Sequence, residues 1–181
     1  MLSPNLKMAK RFLKLLDPEG EFTFQTFDDS KNRSSKLAKV LHGTLDQHAE
    51  QLIEMNKKGG GVFVMVNKGD GVTKAPASTC RTSANVVAVR ALFADTDGTL
   101  LEPILERMPP PHILVESSPN KWHVYWKTGD TTLDEFKSRQ KAIARALDTD
   151  VSVNVLARTL RIPGFYHQKG EPFLVRLFDN S

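Results

Sequence analysis

The chain has 181 residues, of which 40% are hydrophobic and 25% charged, which is a typical globular composition and enough for one sizeable domain or two small ones. The absence of an 18-residue apolar run, of a signal-peptide core and of any cysteine besides Cys80 argues against a membrane span, export and a disulfide framework. We therefore expect a cytoplasmic protein with no membrane partner, and the formal charge of +4 mildly favours a polyanionic one.

The first part of the chain predicts two helices and two strands. Residues 4–16 form an amphipathic helix whose basic face is most simply a solvated surface, with nucleic-acid contact as the alternative. Alternating phenylalanines predict a half-buried strand over 22–27. Thr44 and Gln47 form a capping-box pattern that opens a second helix, which three glycines end before an apolar strand at 62–66.

The rest of the chain alternates loops, strands and one more helix. A loop at 67–84 precedes an apolar strand at 86–94, and residues 112–127 read as strand, tight turn and strand. Thr132 opens a third capped helix, and a last strand is predicted at 173–178. This mixture predicts an α+β fold with a largely antiparallel sheet.

The motif Asp95-Thr96-Asp97-Gly98-Thr99 has three alternative meanings: a nucleophile that attacks phosphate, a metal site, or a turn. It matches the nucleophile motif of haloacid-dehalogenase-like phosphatases, in which the first aspartate attacks phosphorus. That fold needs a parallel sheet, a downstream lysine and a late acidic pair, whereas the residues after Thr99 begin with a hairpin. The phosphatase is therefore kept as the alternative function.

Asp95 and Asp97 also suit a metal ion. Residues i and i+2 of a strand point to one side, so the two carboxylates would repel each other unless a cation lay between them. Hard oxygen ligands favour Mg²⁺ or Mn²⁺, which serve phosphoryl transfer. Because such a pair is also common in loops, it needs partners elsewhere in the chain.

The predicted hairpin offers such partners. Lys121, His123 and Tyr125 share one face of its second strand, and the other face carries two tryptophans. The first face suits phosphate binding, and the alternative is an ordinary solvent-facing surface. Ser118 lies in the turn, where hydroxyls and amides can surround phosphate oxygens.

Further charged candidates follow the third capped helix. Asp148 and Asp150 each offer one more carboxylate in a segment expected to become extended. Arg158 and Arg161 precede a Pro-Gly pair and could fork onto a triphosphate or a template backbone, although a single arginine is more often a salt-bridge partner.

The order of these motifs resembles the archaeo-eukaryotic primase superfamily, in particular its RepB-like primase and primase-polymerase branch, from about Phe63 to Lys169. The resemblance implies an RRM-like catalytic unit (85–181) with a largely antiparallel sheet, packed against an N-terminal α/β unit (1–84). It implies template-dependent nucleotidyl transfer on single-stranded DNA with NTPs or dNTPs and two divalent metals, Mg²⁺ or Mn²⁺. The reaction would serve replication of a plasmid, a phage or another mobile element.

The same resemblance implies roles for single residues. Asp95 and Asp97 match the first metal-binding pair, and Asp150 best matches the third carboxylate, so we expect it within a few ångströms of them. Asp148, its competitor, should point more to solvent. The nucleotide-binding residues implied are His123, Lys121, Ser118, Arg158 and Arg161.

Two positions depart from the family pattern, and the partners are only partly defined. Asn120 stands where the family often has glycine, and His167 stands where related chains often have asparagine, so its role is left open. No Cys/His zinc cluster and no Walker motif is present, so a replicative helicase would be a separate chain or a missing C-terminal region. The non-enzymatic alternative is a catalytically degenerate factor that binds single-stranded DNA, against which the intact carboxylates argue.

Overall fold

The computed structural model describes residues 2–73, 75–76, 78–97 and 100–178, so Gly98 and Thr99 of the aspartate motif lie outside the described residues. The described residues form four α-helices: α1 (Leu6–Leu16), α2 (Leu45–Lys57), α3 (Leu101–Arg107) and α4 (Leu133–Ala146). The first six strands are β1 (Phe22–Asp28), β2 (Lys39–Gly43), β3 (Gly60–Met65), β4 (Lys68–Gly69), β5 (Val86–Ala88) and β6 (Ala91–Asp95). The other six are β7 (Ile113–Ser118), β8 (Lys121–Lys127), β9 (Thr159–Arg161), β10 (Tyr166–His167), β11 (Phe173–Leu174) and β12 (Arg176–Phe178).

These strands form two four-stranded sheets and two short ribbons. The first sheet has the order β2-β1-β3-β9 and the second has the order β12-β7-β8-β6, while β4 pairs with β5 and β10 with β11. Every pairing among the described residues is antiparallel. The predicted α+β class with a largely antiparallel sheet is confirmed, and the parallel sheet that a dehalogenase-like phosphatase needs is absent from the described part of the chain.

The second sheet is covered on both faces, which decides the environment of the predicted site strand. Tyr125 of β8 packs in the main core with Phe12 of α1, whose ring centroid is 5.6 Å away. Val124 and Trp126 point the other way and pack with Ile143 of α4. Neither face of β8 is therefore a free surface, and the solvent-facing alternative for the His123 face is wrong because His123 is only 5% exposed.

Local signals in the sequence predict several elements correctly. The capping boxes at Thr44 and Thr132 form as expected, with the side chain of each threonine accepting a hydrogen bond from the third residue of its helix. The tight turn of the hairpin is made by Asn120 with φ of 61°, a left-handed conformation that asparagine tolerates better than most residues. Asparagine therefore serves where the family often has glycine.

Other elements were missed or divided. The strand expected at 86–94 is two strands, because the chain leaves the β4 ribbon and enters the second sheet around Arg90, whose amide donates to Asn67. Helix α3 and strands β2 and β9 were not predicted. Their segments are short, so little periodicity accumulates in them.

The two predicted units share their sheets and core. Strand β9 comes from the C-terminal unit but pairs with β3 of the N-terminal sheet, with Val64 opposite Leu160. One core cluster contains Phe24 of the first sheet and Phe93 of the second. The boundary after residue 84 stays a prediction. Among the described residues, no helix is long and apolar enough to cross a membrane.

Candidate functional site

The two aspartates lie at the end of an edge strand of the second sheet. Asp95 is the last residue of β6 and stands opposite His123 of β8. The pairing continues for one more residue, since the Thr96 amide donates to the Trp122 carbonyl and the Trp122 amide donates to the Thr96 hydroxyl, both over 2.9 Å. Thr96 is fully buried, whereas Asp95 and Asp97 both line one cleft, as the i, i+2 spacing predicts.

His123 is buried directly beside the first aspartate. Its Nε2 atom lies 3.9 Å from Oδ1 of Asp95, and its Nδ1 atom is buried without a hydrogen-bond partner. Burial lowers the pKa of His123 to about 4, an effect that the Asp95 carboxylate opposes and the charges of Arg161 and Arg158 reinforce. The imidazole is therefore neutral near pH 7 and carries one N–H donor and one acceptor nitrogen.

Lys121 and Ser118 close the hairpin side of the cleft. The Lys121 ammonium lies 2.8 Å from Oδ1 of Asp97, and this hydrogen bond lowers the pKa of Asp97 and raises that of Lys121. Ser118 stands opposite Lys121 across an irregularity in the β7–β8 register. Both residues line the cleft, so this part of the predicted set is brought together.

Arg158, just before β9, and Arg161, its last residue, have different environments. Arg158 is partly exposed, and one of its guanidinium nitrogens lies 3.4 Å from Oδ2 of Asp95, so it faces the carboxylates from the opposite sheet. Its Nε atom is buried without a hydrogen-bond partner. Arg158 is therefore the cation that the first sheet presents to the carboxylates.

Arg161 is committed to another partner. Both terminal nitrogens of its guanidinium donate to Asp29, over 2.9 and 2.7 Å, and the side chains of the two residues are only 6% and 1% exposed. The guanidinium also lies over the ring of Phe63, 4.5 Å from its centroid. Arg161 lines the cleft, but its fork binds a carboxylate where the sequence suggested a phosphate.

Asp150 does not lie with the aspartate pair. The segment after α4 is a turn in which Asp148 has φ of 54°, so the expected extended geometry is wrong. The exposed carboxylate of Asp150 accepts hydrogen bonds from the amide and hydroxyl of Ser152, over 2.8 and 2.6 Å. These bonds lower the pKa of Asp150, and the residue is not part of the lining of the cleft that holds Asp95 and Asp97.

Asp29, His167 and Lys169, to which the sequence analysis gave no role, lie at or beside the cleft. Asp29 accepts from the Gln168 amide over 2.9 Å in addition to Arg161, and so holds the segment next to His167 and Lys169. Nδ1 of His167 donates to the Ser117 carbonyl over 2.9 Å, and its buried Nε2 has no hydrogen-bond partner. Asp29 stands in a polar run without periodicity, where no sequence signal separates it from ordinary loop residues.

The cleft has a volume of about 250 Å³ and combines both signs of charge. Its polar lining includes Asp95, Asp97, Ser118, Lys121, His123, Arg158, Arg161, His167 and Lys169. The two carboxylates are hard oxygen donors that fit Mg²⁺ or Mn²⁺. Within the described ranges no group of three or more His, Cys, Asp or Glu side chains could hold a metal, so the expected three-carboxylate cluster is not formed.

Two packed antiparallel sheets, with a cleft of paired carboxylates, histidines and cations between their strands, give the chain the fold of archaeo-eukaryotic primases. More particularly, the chain belongs to the family of the RepB DNA-primase N-terminal domain, whose model matches residues 28–181. This membership supports a DNA primase-like function in replication, in a family that generally uses divalent metals.

Solved structures share this fold. The AEP domain of the primase-polymerase of cyanophage S-2L superposes with a TM-score of 0.75 at 17% identity, over 99% of this chain and 92% of that one. The primase RepB′ gives 0.71 at 19% identity, over 96% of this chain and 56% of that one. The catalytic domain of RepB′ in complex with initiator DNA superposes with a TM-score of 0.69 at 16% identity, over 98% of this chain and 85% of that one. No curated protein matches the chain.

Proposed function

We propose that this domain catalyses template-dependent nucleotidyl transfer on single-stranded DNA. A 3′-hydroxyl attacks the α-phosphorus of a bound NTP or dNTP and loses its proton to solvent. A new P–O bond forms while the bond from the α-phosphorus to the bridging oxygen breaks, and pyrophosphate leaves. The observation that carries this proposal is the convergence of Asp95, Asp97 and His123 with Lys121 and Arg158 in one cleft. Two carboxylates facing a cationic wall suit a reaction in which a metal-bound triphosphate must be neutralised and oriented.

We assign Asp95 and Asp97 as the ligands of Mg²⁺ or Mn²⁺, and we keep Asp150 as a proposed third ligand that would have to move from its turn. Held by these carboxylates, such an ion would lower the pKa of the attacking hydroxyl and would neutralise charge on the triphosphate. In the structure the carboxylates are neutralised by Lys121 and Arg158 instead. Both cations are then available to bind phosphate oxygens when the carboxylates bind metal.

His123 is assigned to the nucleotide. Because its pKa of about 4 keeps it neutral near pH 7, it acts as a hydrogen-bond donor to a phosphate oxygen and not as a cation. Ser118 adds a hydroxyl at the hairpin turn. Arg161 acts on phosphate only through its positive charge in the lining of the cleft, because both terminal nitrogens of its guanidinium already donate to Asp29.

The test is nucleotide addition by the purified chain. It is incubated with single-stranded DNA, labelled NTPs or dNTPs and either Mg²⁺ or Mn²⁺, and the products are sized on a gel. We expect extended or newly primed strands from the wild type and none from Asp95→Asn, while Asp130→Asn, an exposed aspartate bound to Thr128, should behave as wild type. Hydrolysis of p-nitrophenyl phosphate without strand synthesis would instead support the phosphatase.

One observation favours a second candidate, a degenerate factor that binds single-stranded DNA without catalysis. The cleft lining includes Lys121, Arg158 and Lys169, which are cations that suit the phosphates of DNA whether or not a reaction follows. DNA binding that persists with no synthesis under either metal would select this function. The mobile-element replicon, a cytoplasmic location and a helicase partner belong to the proposal in both cases.

A further inference from the structure

A second cavity adjoins the catalytic cleft and has no role in the reaction just proposed. It measures about 470 Å³ and shares Phe63 and Lys169 with the cleft. Its other walls include Phe27 at the end of β1, together with Arg33, Ser34 and Ser35 in the loop that leads to β2. The cavity is therefore a lateral continuation of the cleft along the first sheet.

The floor of this cavity is aromatic. The rings of Phe27 and Phe63 meet edge to face with their centroids 5.5 Å apart. Phe27 is 36% exposed although it belongs to a strand whose neighbours Gln25 and Thr26 are buried. The guanidinium of Arg81 lies 5.7 Å from the Phe27 centroid, which leaves the ring supported and partly open. The lining of the cavity is more apolar than polar, so the open face of Phe27 offers a surface on which a flat aromatic base can stack.

The rim of the cavity carries two exposed cations beside the ionised carboxylate of Asp28. Of the two carboxylates that border it, Asp28 accepts from the amides of Ser30 and Ser34, and Asp29 is paired with Arg161. Arg33 and Lys169 are exposed cations on the same rim. The combination of an aromatic floor, hydroxyls and cations matches how proteins bind single-stranded nucleic acid, by stacking bases and tracking phosphates.

We propose that this cavity binds an unpaired base of the single-stranded DNA, stacked on Phe27, with the adjoining phosphates near Arg33 and Lys169. The inference rests on the proposed function, because the cleft already accounts for the phosphates of a nucleotide. Arg33 lies outside the lining of the cleft, so it offers a cation to a polymer that continues past the cleft, whereas the phosphates of a single nucleotide fit within the cleft itself. The DNA strand is therefore the occupant, and the base of the incoming nucleotide is the competing outcome.

The test measures DNA binding separately from nucleotide use. Fluorescence anisotropy of a labelled oligothymidylate, and of an abasic oligonucleotide with the same number of phosphates, gives Kd for the wild type and for Phe27→Ala and Phe27→Trp. We expect Phe27→Ala to weaken oligothymidylate binding on the order of tenfold with little change for the abasic strand, and Phe27→Trp to restore it. Arg33→Ala should weaken both strands and reduce the salt slope by about one.

The matched control is Phe178→Ala, which removes another exposed phenylalanine, packed on Trp122 with centroids 5.3 Å apart. It should leave both affinities unchanged. The inference is overturned if Phe27→Ala, with a wild-type melting temperature, binds both strands like the wild type. It is equally overturned if that variant raises only the KM for nucleotide, since the occupant is then the incoming base. Base-dependent binding through Phe27 without nucleotide addition by the wild type would support this site and contradict the proposed catalysis.

Discussion

A change of Asp29 to asparagine should lower the free energy of unfolding strongly although it hardly alters the shape of the side chain. The Asp29 carboxylate accepts two hydrogen bonds from Arg161 and one from the amide of Gln168, and its side chain is 1% exposed. In Asp29→Asn the amide group keeps the size but loses the charge and one acceptor. The variant leaves the buried guanidinium of Arg161 without a counter-charge and turns an N–H donor toward another donor.

Removing one partner of a buried, hydrogen-bonded ion pair costs about 3–5 kcal/mol, because the remaining charge stays desolvated and unpaired. Since domains of this kind unfold with about 5–15 kcal/mol, Asp29→Asn should lose a large share of the total stability. The matching change at an exposed pair, Asp46→Asn opposite Lys10, should cost less than about 1 kcal/mol. The side chains of that pair are 72% and 50% exposed.

Urea unfolding followed by circular dichroism measures these differences through the midpoint and the m-value. The double variant Asp29→Leu with Arg161→Met removes both charges, so its cost should fall clearly below the sum of the two single changes. The reasoning is refuted if Asp29→Asn costs no more than Asp46→Asn. Strict additivity of the double variant would refute it as well.

The remaining predictions concern the cleft and its support. Asp97→Asn should abolish nucleotide addition in the gel assay, because it removes one of the two proposed metal-binding carboxylates. The circular dichroism spectrum should not change, since the Asp97 side chain is 69% exposed. His123→Ala should raise the KM for nucleotide more than the Kd for DNA, and equal effects on both would contradict its assignment. Because burial lowers the pKa of His123 from 6.5 to about 4, its contribution to stability is complete above pH 6.5 and is lost as the pH falls toward 4. The loss is about 3 kcal/mol, and urea titrations should show a smaller pH slope in His123→Gln. Gln140→Leu should cost about 2–4 kcal/mol in the same titration, because the buried Gln140 side chain pairs with both the amide and the carbonyl of Phe93; a neutral effect would show that β6 needs no such support.

Sequence reasoning worked best where a few neighbouring residues determine the structure. The capping boxes at Thr44 and Thr132 and the turn at Asn120 depend on hydrogen bonds and dihedral angles within four residues, which the sequence displays directly. The shared side of Asp95 and Asp97 follows from the two-residue period of a strand, provided the pairing continues through residue 96. Most of the residues that the sequence analysis selected for the site line the same cleft in the structure.

The same reasoning failed where the partner lies far along the chain. Arg161 looked like a phosphate contact, but its partner is Asp29, which is 132 positions away in a polar run. Asp150 looked like a third carboxylate, but a left-handed residue at Asp148 turns the chain and directs the carboxylate to Ser152. The spacing of residues in the sequence predicts neither the partner of Arg161 nor that of Asp150. Each partner depends on the direction in which the side chain points once the chain has folded.

The sequence by itself determined the α+β class, the capped helices, the hairpin and the carboxylate pair, since these follow from periods and dihedral preferences that act within a few residues. Only the tertiary structure decided that β9 crosses to the first sheet and brings Arg158 to Asp95. It also decided that His123 is neutral, because the pKa of an imidazole depends on burial by both sheets and not on its neighbours in sequence. Charges that are distant in the chain acquire their partners when the sheets pack, and that step sets the chemistry of the cleft.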